Sequence, residues 1–190
     1  MDIVFSNVSM TFPEAEVLKD FNCRFPQGEL TLLTGSSGIG KTTVLNLIMG
    51  LIKPQKGTIQ SDRDKKVRAV FQEDRLLENM SISANLNLVS KKKLTDEAVK
   101  ELLKCVGLSL PPCERVNELS GGMKRRVAVL RALIPEPDVL LLDEAFSGLD
   151  ENMAKDVLAF IMKSMAGKTV IASTHRPQLF EGFAYNEIKL

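Results

Sequence analysis

The feature that most constrains the fold of this chain is a glycine-rich segment, GSSGIGKT, at residues 35–42. It matches the pattern GxxxxGK[ST], and it lies between the strand-like run LTLLT at residues 30–34 and a segment with the pattern of a helix. Glycines let backbone N–H groups converge on phosphate oxygens, and a helix N-terminus adds a favourable partial positive charge. The segment therefore predicts a nucleotide-phosphate site rather than a glycine-rich surface turn.

The residues of such a loop have separate roles. We expect the Lys41 ammonium to reach the β- and γ-phosphates and the Thr42 hydroxyl to bind Mg²⁺. The expected nucleotide-binding residues of this segment are Gly35, Ser36, Ser37, Gly38, Ile39, Gly40, Lys41, Thr42 and Thr43.

Length and periodicity predict one domain of the α/β class. The 190 residues, 44% hydrophobic and 26% charged, suit a single globular unit with an inserted lobe. Apolar residues alternate near the N-terminus, which favours β structure, whereas residues 95–106 carry one apolar face with helical spacing. We predict an α/β core of residues 1–73 and 120–190 that begins with β structure, and an inserted helical lobe of residues 74–119.

Composition and patterning limit the class of protein, although local charged patches remain possible. The 25 Lys and Arg residues nearly balance the 24 Asp and Glu residues, and a net charge of +1 gives no overall field that would recruit nucleic acid. The three cysteines form neither a CxxC motif nor a metal-ligand cluster. The longest uncharged, largely apolar run, residues 42–52, is too short to span a membrane, and the N-terminus lacks the pattern of a secretory signal. We therefore expect a cytoplasmic protein.

A pair of acids follows a second apolar run. Residues 138–144 read DVLLLDE, and the unbroken apolar part is typical of a strand covered on both faces in a parallel sheet. Ligands of α/β sheets lie at the carboxyl edge, so we expect Asp143 to hold Mg²⁺ through water and Glu144 to polarise the attacking water. Alone, such a pair also fits a helix cap or a surface turn. The phosphate loop upstream favours the catalytic interpretation.

A third motif distinguishes between classes of phosphate-loop protein. Residues 119–123 read LSGGM, which closely resembles the LSGGQ-type signature of ATP-binding cassette (ABC) ATPases and lies, as in that family, between the phosphate loop and the acidic strand. A helix start of this composition forms another anion site, with Ser120 and the N–H groups of Gly121 and Gly122 as donors. For the pentapeptide alone, an ordinary serine-capped helix is the alternative.

The remaining motifs of the ABC family occur in order along the chain. By this resemblance Gln72 contacts Mg²⁺ and the attacking water, His175 contacts the γ-phosphate, and Phe12 stacks on adenine. Residues 147–150 resemble the D-loop. The catalytic residues expected on these grounds are Lys41, Gln72, Glu144 and His175. The expected metal ligands are Thr42, Gln72 and Asp143.

Two positions depart from the family pattern. Ala145 stands where many members have proline, and Arg176 stands where an acid is common. Neither departure removes a catalytic group.

The resemblance implies a P-loop NTPase core with an N-terminal antiparallel β portion. It also implies a subunit that binds and hydrolyses ATP with Mg²⁺ and so powers solute transport. Because the sequence has no spanning segment, the transport path is expected in a separate membrane permease, contacted through the helical insertion, at the inner face of the cell membrane. Two copies are expected to form a homodimer on binding ATP. The motifs look most like those of nitrate, sulfonate and taurine-type importers.

Two alternatives keep the nucleotide site and change its use. A soluble ABC ATPase of translation or DNA repair usually carries two cassettes or a long coiled-coil insertion, whereas this chain has one set of motifs in 190 residues. A regulatory nucleotide-binding module typically lacks the base that Glu144 provides. Both features favour the transporter subunit.

Overall fold

The chain folds around two β-sheets in the computed structural model, which describes residues 1–13, 15–62 and 64–190. Within these ranges the strands are β1 (Ile3–Phe12), β2 (Ala15–Phe25), β3 (Leu30–Thr34), β4 (Lys56–Gln60), β5 (Val67–Val70), β6 (Val139–Asp143), β7 (Thr169–Ser173) and β8 (Asn186–Lys189). The α-helices are α1 (Lys41–Ile48), α2 (Ile82–Asn87), α3 (Asp96–Cys105), α4 (Gly121–Leu133) and α5 (Glu151–Ser164). Short 3₁₀ helices cover Val116–Glu118 and Pro177–Phe180.

The two sheets differ in strand direction. β2, β1 and β4 form an antiparallel sheet in that order. β5, β6, β7, β3 and β8 form a parallel sheet in that order. Because neighbouring parallel strands end at the same edge, the segments that follow β5, β6, β7 and β3 start side by side.

Alternate residues of β6 show how the parallel sheet is covered. Leu140 and Leu142 pack in one apolar cluster with residues of α4 and α5. Val139 and Leu141 pack in another cluster, with residues of α1 and the antiparallel sheet. Every residue of β6 is buried. The apolar run is unbroken because protein covers both faces of this strand.

Side-chain caps fix the starts of four helices. Ser81, Thr95, Ser120 and Asp150 each accept a hydrogen bond from the backbone N–H three residues later, at the starts of α2, α3, α4 and α5. The start of α1 differs, because its N-cap is Gly40 and no side chain among the described residues caps it. The N–H groups in the first turn of α1 are therefore available to a ligand.

Helices α2 and α3 contribute to a third apolar cluster. Ile82 and Leu86 of α2 and Val99 and Leu103 of α3 are fully buried there, against side chains of α4. These helices lie in the chain between β5 and α4, within the predicted insertion. Its exact bounds, residues 74 and 119, stay a prediction.

The α/β fold class predicted from the sequence is confirmed, with an antiparallel sheet at the N-terminus and a parallel sheet in the core. Sequence patterning does not predict β8, because Ile188 is the one apolar residue of that strand. β8 forms through its pairing with β3, which the periodicity of four residues cannot reveal. Across the described residues, the helices are all too short or too polar to cross a membrane.

We expect Asn85 to be important for the stability of this helical part. Its fully buried amide accepts from the Leu77 N–H at 2.8 Å and donates to the carbonyl oxygens of Leu77 and Ser81, each at 3.0 Å. Asn85→Ala leaves these backbone groups without their partner and should lower the free energy of unfolding by about 1–3 kcal/mol, measured by urea denaturation. The exposed Asn79 is the control, since Asn79→Ala should change it by less than about 0.5 kcal/mol. Equal effects of the two changes would contradict this role.

Candidate nucleotide site

A cavity of about 200 Å³ lies at the carboxyl edge of the parallel sheet. The segments that follow β3, β5, β6 and β7 all reach it, and the antiparallel sheet closes one side. Its lining residues are Phe12, Val17, Ser37, Gly38, Gly40, Lys41, Thr42, Thr43, Gln72, Asp143, Glu144 and His175. Sequence motifs that are more than 130 residues apart in the chain thus meet in one place.

The glycine loop approaches this cavity with its backbone. Gly40 has φ +119°, and a Cβ atom there would lie 2.7 Å from Cγ1 of Val17. A side chain at this position would therefore be strained and would collide with β2. At Gly38, by contrast, a Cβ would meet nothing within 4 Å, so the loop is open on the cavity side. The uncapped start of α1 faces the same region.

The Lys41 ammonium is held by the loop itself. Its Nζ atom donates to the carbonyl oxygens of Gly35 and Ser36, at 2.9 Å each, and the residue is only 6% exposed. A buried ammonium needs such acceptors because desolvation of a charge is costly. The side chain is thus kept at the cavity by groups that phosphate oxygens could replace.

A chain of hydrogen bonds joins α1 to β6 and β7. The Thr42 hydroxyl donates to Asp143 Oδ1 at 3.2 Å, and the Ser173 hydroxyl donates to the same oxygen at 2.6 Å. The Ser173 hydroxyl also accepts from the Glu144 N–H at 3.1 Å. Ser173 therefore fixes the positions of both acids.

Glu144 stands in an unusual local conformation. Its φ is +47°, a region that non-glycine residues seldom adopt, and its N–H also contacts the Ser173 carbonyl oxygen at 3.3 Å. Oε1 of Glu144 is shielded from solvent, and no hydrogen bond to it is formed within the described residues. His175 Nε2 lies 3.3 Å from that oxygen. The carboxylate has an acceptor atom free for a ligand or a water in the cavity.

The donor set fits a magnesium ion. Thr42 and Asp143 bring a hydroxyl and a carboxylate oxygen within 3.2 Å of each other, and Mg²⁺ prefers oxygen ligands completed by water and phosphate. In the described parts of the chain no three His, Cys, Asp or Glu side chains are grouped to hold a metal. Thr42 and Asp143 could therefore hold Mg²⁺ together with phosphate oxygens of a nucleotide, with the Gln72 side chain also at the cavity.

The signature segment at residues 119–123 does not line this cavity in the described chain. Ser120 is exposed, and its hydroxyl accepts from the Met123 N–H at 3.3 Å, so it caps α4. A Cβ at Gly122 would lie 3.3 Å from Cδ2 of Leu149, so the signature segment packs on the D-loop. Ser120, Gly121 and Gly122 are thus not brought together with Lys41 within one copy.

Within the glycine loop, Gly35, Ser36 and Ile39 also stay off the cavity lining. Gly35 and Ser36 affect the cavity indirectly, because their carbonyl oxygens accept hydrogen bonds from the Lys41 ammonium.

Sequence reasoning missed three residues of this region. Val17 lines the cavity, Ser173 positions the two acids, and Arg125 donates to the carbonyl oxygens of Phe71 and Gln72. Ser173 carries a usable signal, because it ends the strand that precedes His175 and must lie at the same sheet edge. No pattern in the sequence distinguishes Arg125 from the other cations of α4.

The fold that holds these side chains is that of a P-loop nucleoside triphosphatase, with a glycine loop joining a parallel strand to a helix. Within that class, residues 18–147 match the protein-family model described as ABC transporter. The chain belongs to that family.

Curated relatives and a solved structure are consistent with this assignment. The spermidine/putrescine import ATP-binding protein of Fusobacterium nucleatum is 36% identical over 194 residues, covering 93% of this chain and 51% of the relative. The taurine import ATP-binding protein of Pelagibacter ubique is 34% identical, covering 92% of this chain and 72% of the relative. A dimeric bacterial ABC transporter cassette has a TM-score of 0.82 at 27% identity, covering 98% of this chain and 94% of that one. The chain spans about half the length of the first of these relatives.

Removing the Ser173 hydroxyl should weaken the polar network at the acids. Ser173→Ala deprives the buried Asp143 carboxylate of a donor and the Glu144 N–H of an acceptor. We expect the free energy of unfolding to fall by about 1–3 kcal/mol in urea denaturation. Ser164→Ala is the control, because that exposed hydroxyl donates only to the Phe160 carbonyl of its own helix, and a change below about 0.5 kcal/mol is expected. A Ser173→Ala protein as stable as the control would show that the network contributes nothing.

Proposed function

We propose that this chain binds and hydrolyses Mg²⁺-ATP and powers solute transport as a subunit of an ABC transporter. The observation that carries the proposal is the single cavity that joins Lys41, Thr42, Asp143 and Glu144. Positive charge, metal-binding oxygens and a carboxylate with a free acceptor atom are the groups that phosphoryl transfer to water requires. Family membership and the import proteins among the relatives support the same conclusion.

In this proposal the phosphate groups of ATP lie on the uncapped start of α1. Lys41 exchanges its bonds to the Gly35 and Ser36 carbonyls for bonds to the β- and γ-phosphates. The other loop residues at the cavity, Ser37, Gly38, Gly40, Thr42 and Thr43, also contact phosphate oxygens. The Phe12 ring, 39% exposed at the rim of the cavity, stacks on adenine.

Hydrolysis depends on Glu144 in this scheme. Glu144 accepts a proton from the attacking water as the water oxygen bonds to the γ-phosphorus and the bond to the β–γ bridging oxygen breaks, and that proton then leaves with the inorganic phosphate. ADP and inorganic phosphate are the products. His175 donates to a γ-phosphate oxygen. The Gln72 side chain contacts the attacking water and could serve as a ligand of Mg²⁺. When bound, Mg²⁺ supplies positive charge that stabilises the charge developing on the transferred group.

The signature segment completes the site from a second copy in this proposal. Because Ser120 caps its own helix through its acceptor lone pairs, its hydroxyl hydrogen remains able to donate to a phosphate. Two copies related by a two-fold axis would then build two equivalent sites, each with one glycine loop and one signature segment. The likeness to a dimeric cassette is consistent with this arrangement.

A membrane permease is the proposed second partner. The side chains of Leu77 and Met80, 48% and 44% exposed, follow the Gln72 loop directly, and Leu88 ends the next helix at 61% exposed. These exposed apolar side chains all lie in the segment that follows the Gln72 loop, which suits contact of that segment with a separate membrane subunit. Through that contact the chain would be held at the inner face of the cell membrane.

Substitutions of Lys41 and Glu144 should impair different steps, nucleotide binding and hydrolysis respectively. Lys41→Ala removes the charge that meets ground-state phosphates, so affinity for a fluorescent ATP analogue should fall by at least about 10-fold. Glu144→Gln preserves shape and binding but removes the proton acceptor, so phosphate release should fall by roughly 10²-fold or more. Phosphate release from Glu144→Gln at the rate of the unmodified chain would refute the proposed role.

Slow hydrolysis should also trap the proposed dimer. Light scattering should show Glu144→Gln as a dimer with ATP and as a monomer with ADP, since ATP can favour only the state that it binds better. Adding Ser120→Arg puts a bulky side chain into the shared site, so the dimer should disappear while each copy still binds ATP. A double variant that dimerises like Glu144→Gln alone would rule out the shared site.

A further inference from the structure

Arg125 is a buried cation of α4 that bonds to the loop carrying Gln72. The residue is 6% exposed, and its two terminal guanidinium nitrogens donate to the carbonyl oxygens of Phe71 and Gln72. Its Nε atom lies 3.2 Å from Oδ1 of Asp74. One side chain from the second turn of α4 thus contacts three residues of the loop that follows β5.

A second arginine of the same helix extends this contact. Arg131 donates to the carbonyl oxygens of Asp74 and Arg75, at 3.0 and 2.8 Å. Arg75 itself has φ +49° and stacks its guanidinium over the Phe71 ring, 3.6 Å from the ring centroid. The loop is folded so that its carbonyl groups face α4, while Gln72 remains at the cavity.

Because Arg125 is buried, its N–H groups depend on these protein acceptors rather than on water. Desolvation raises the pKa of the Asp74 carboxyl, against the opposing positive charges of Arg125, Lys124 and Arg131. A buried guanidinium is tolerated when its N–H groups have acceptors, and removing it leaves those acceptors without donors. The position of the Gln72 backbone is therefore tied to the position of Arg125.

The same helix begins at the signature segment, since Ser120 caps α4 and Arg125 stands five residues later. An α-helix is rigid over this distance, so a shift at Ser120 moves Arg125 with it. We propose that Arg125 is a positioning residue that sets the place of Gln72 in the cavity and couples it to the signature segment. This inference rests on the proposed ATPase function.

The test is a double-mutant cycle between Arg125 and Gln72, measured as steady-state ATP hydrolysis. Arg125→Met should lower kcat by about 10-fold and change the KM for ATP by less than about 3-fold, because the phosphate loop is untouched. In a Gln72→Ala background the same substitution should lower kcat by less than about 2-fold, since its effect passes through Gln72. Arg125→Lys, which can still donate to a loop carbonyl, should recover part of the lost kcat.

Arg126→Met is the matched control. Arg126 is also a partly buried arginine of α4 that donates to backbone carbonyls, but those belong to Val106, Gly107 and Gly122. If Arg126→Met changes kcat, it should do so by the same factor in the unmodified chain and in the Gln72→Ala background. If Arg125→Met also acts by one factor in both backgrounds, or raises KM while kcat stays constant, the positioning role is wrong.

Limited proteolysis separates this inference from the proposed function. Trypsin should cleave after the exposed Arg75 at least about 5-fold faster in Arg125→Met than in the unmodified chain, because cleavage requires the loop to open, with no such change in Arg126→Met. A chain that does not hydrolyse ATP would overturn the proposed function, and the cleavage rates would still decide whether Arg125 holds the loop. Unchanged cleavage after Arg75 in Arg125→Met would overturn the inference even if hydrolysis is observed.

Discussion

The parallel pairing of β5, β6, β7 and β3 is the constraint on which the candidate site depends. Its register places Asp143 beside Ser173, and Ser173 beside Leu33, so these strands end within neighbouring strand spacings of each other. The glycine loop, the two acids, His175 and Gln72 all follow directly from those ends. No long loop is needed to bring them together, because the sheet has already placed their starting points.

Some polar groups at this edge have no hydrogen-bond partner within the described residues. The buried Asn85 uses both its donor and acceptor atoms, whereas Oε1 of Glu144 forms no hydrogen bond within the described residues, and α1 begins without a side-chain cap. An unmet buried group costs about 1–3 kcal/mol, and a non-glycine residue with positive φ adds about 1–2 kcal/mol. Apolar packing on both faces of β6 can offset such costs, and a phosphate ligand with its water would supply the missing partners.

Sequence patterns predicted the parts of this structure that local chemistry decides. The loop at residues 35–42 and the doubly buried β6 carry their signal within a few residues, and the fold class predicted from such patterns is confirmed. Arg125 and β8 could not be assigned in this way, because their contacts are with segments distant in the chain. Ser173 was missed although its place at the end of β7 is a usable signal. The place of Gln72 was predicted from its motif, but the arginine that holds its backbone was not.

Charge at the cavity bears on how one copy of the chain would hold a phosphate. Among the described residues that line it, Lys41 is the one side chain with a full positive charge, whereas Asp143 and Glu144 each carry a negative one. A triphosphate adds several further negative charges, so the lining alone repels it more than it attracts it. The start of α1 and a bound Mg²⁺ would reduce that repulsion, and in the proposed dimer the start of α4 of the second copy would add to this effect. In the proposed dimer the two carboxylate-lined edges would approach each other only when the nucleotide and its metal lie between them. In that dimer the distribution of charge would make association depend on ATP.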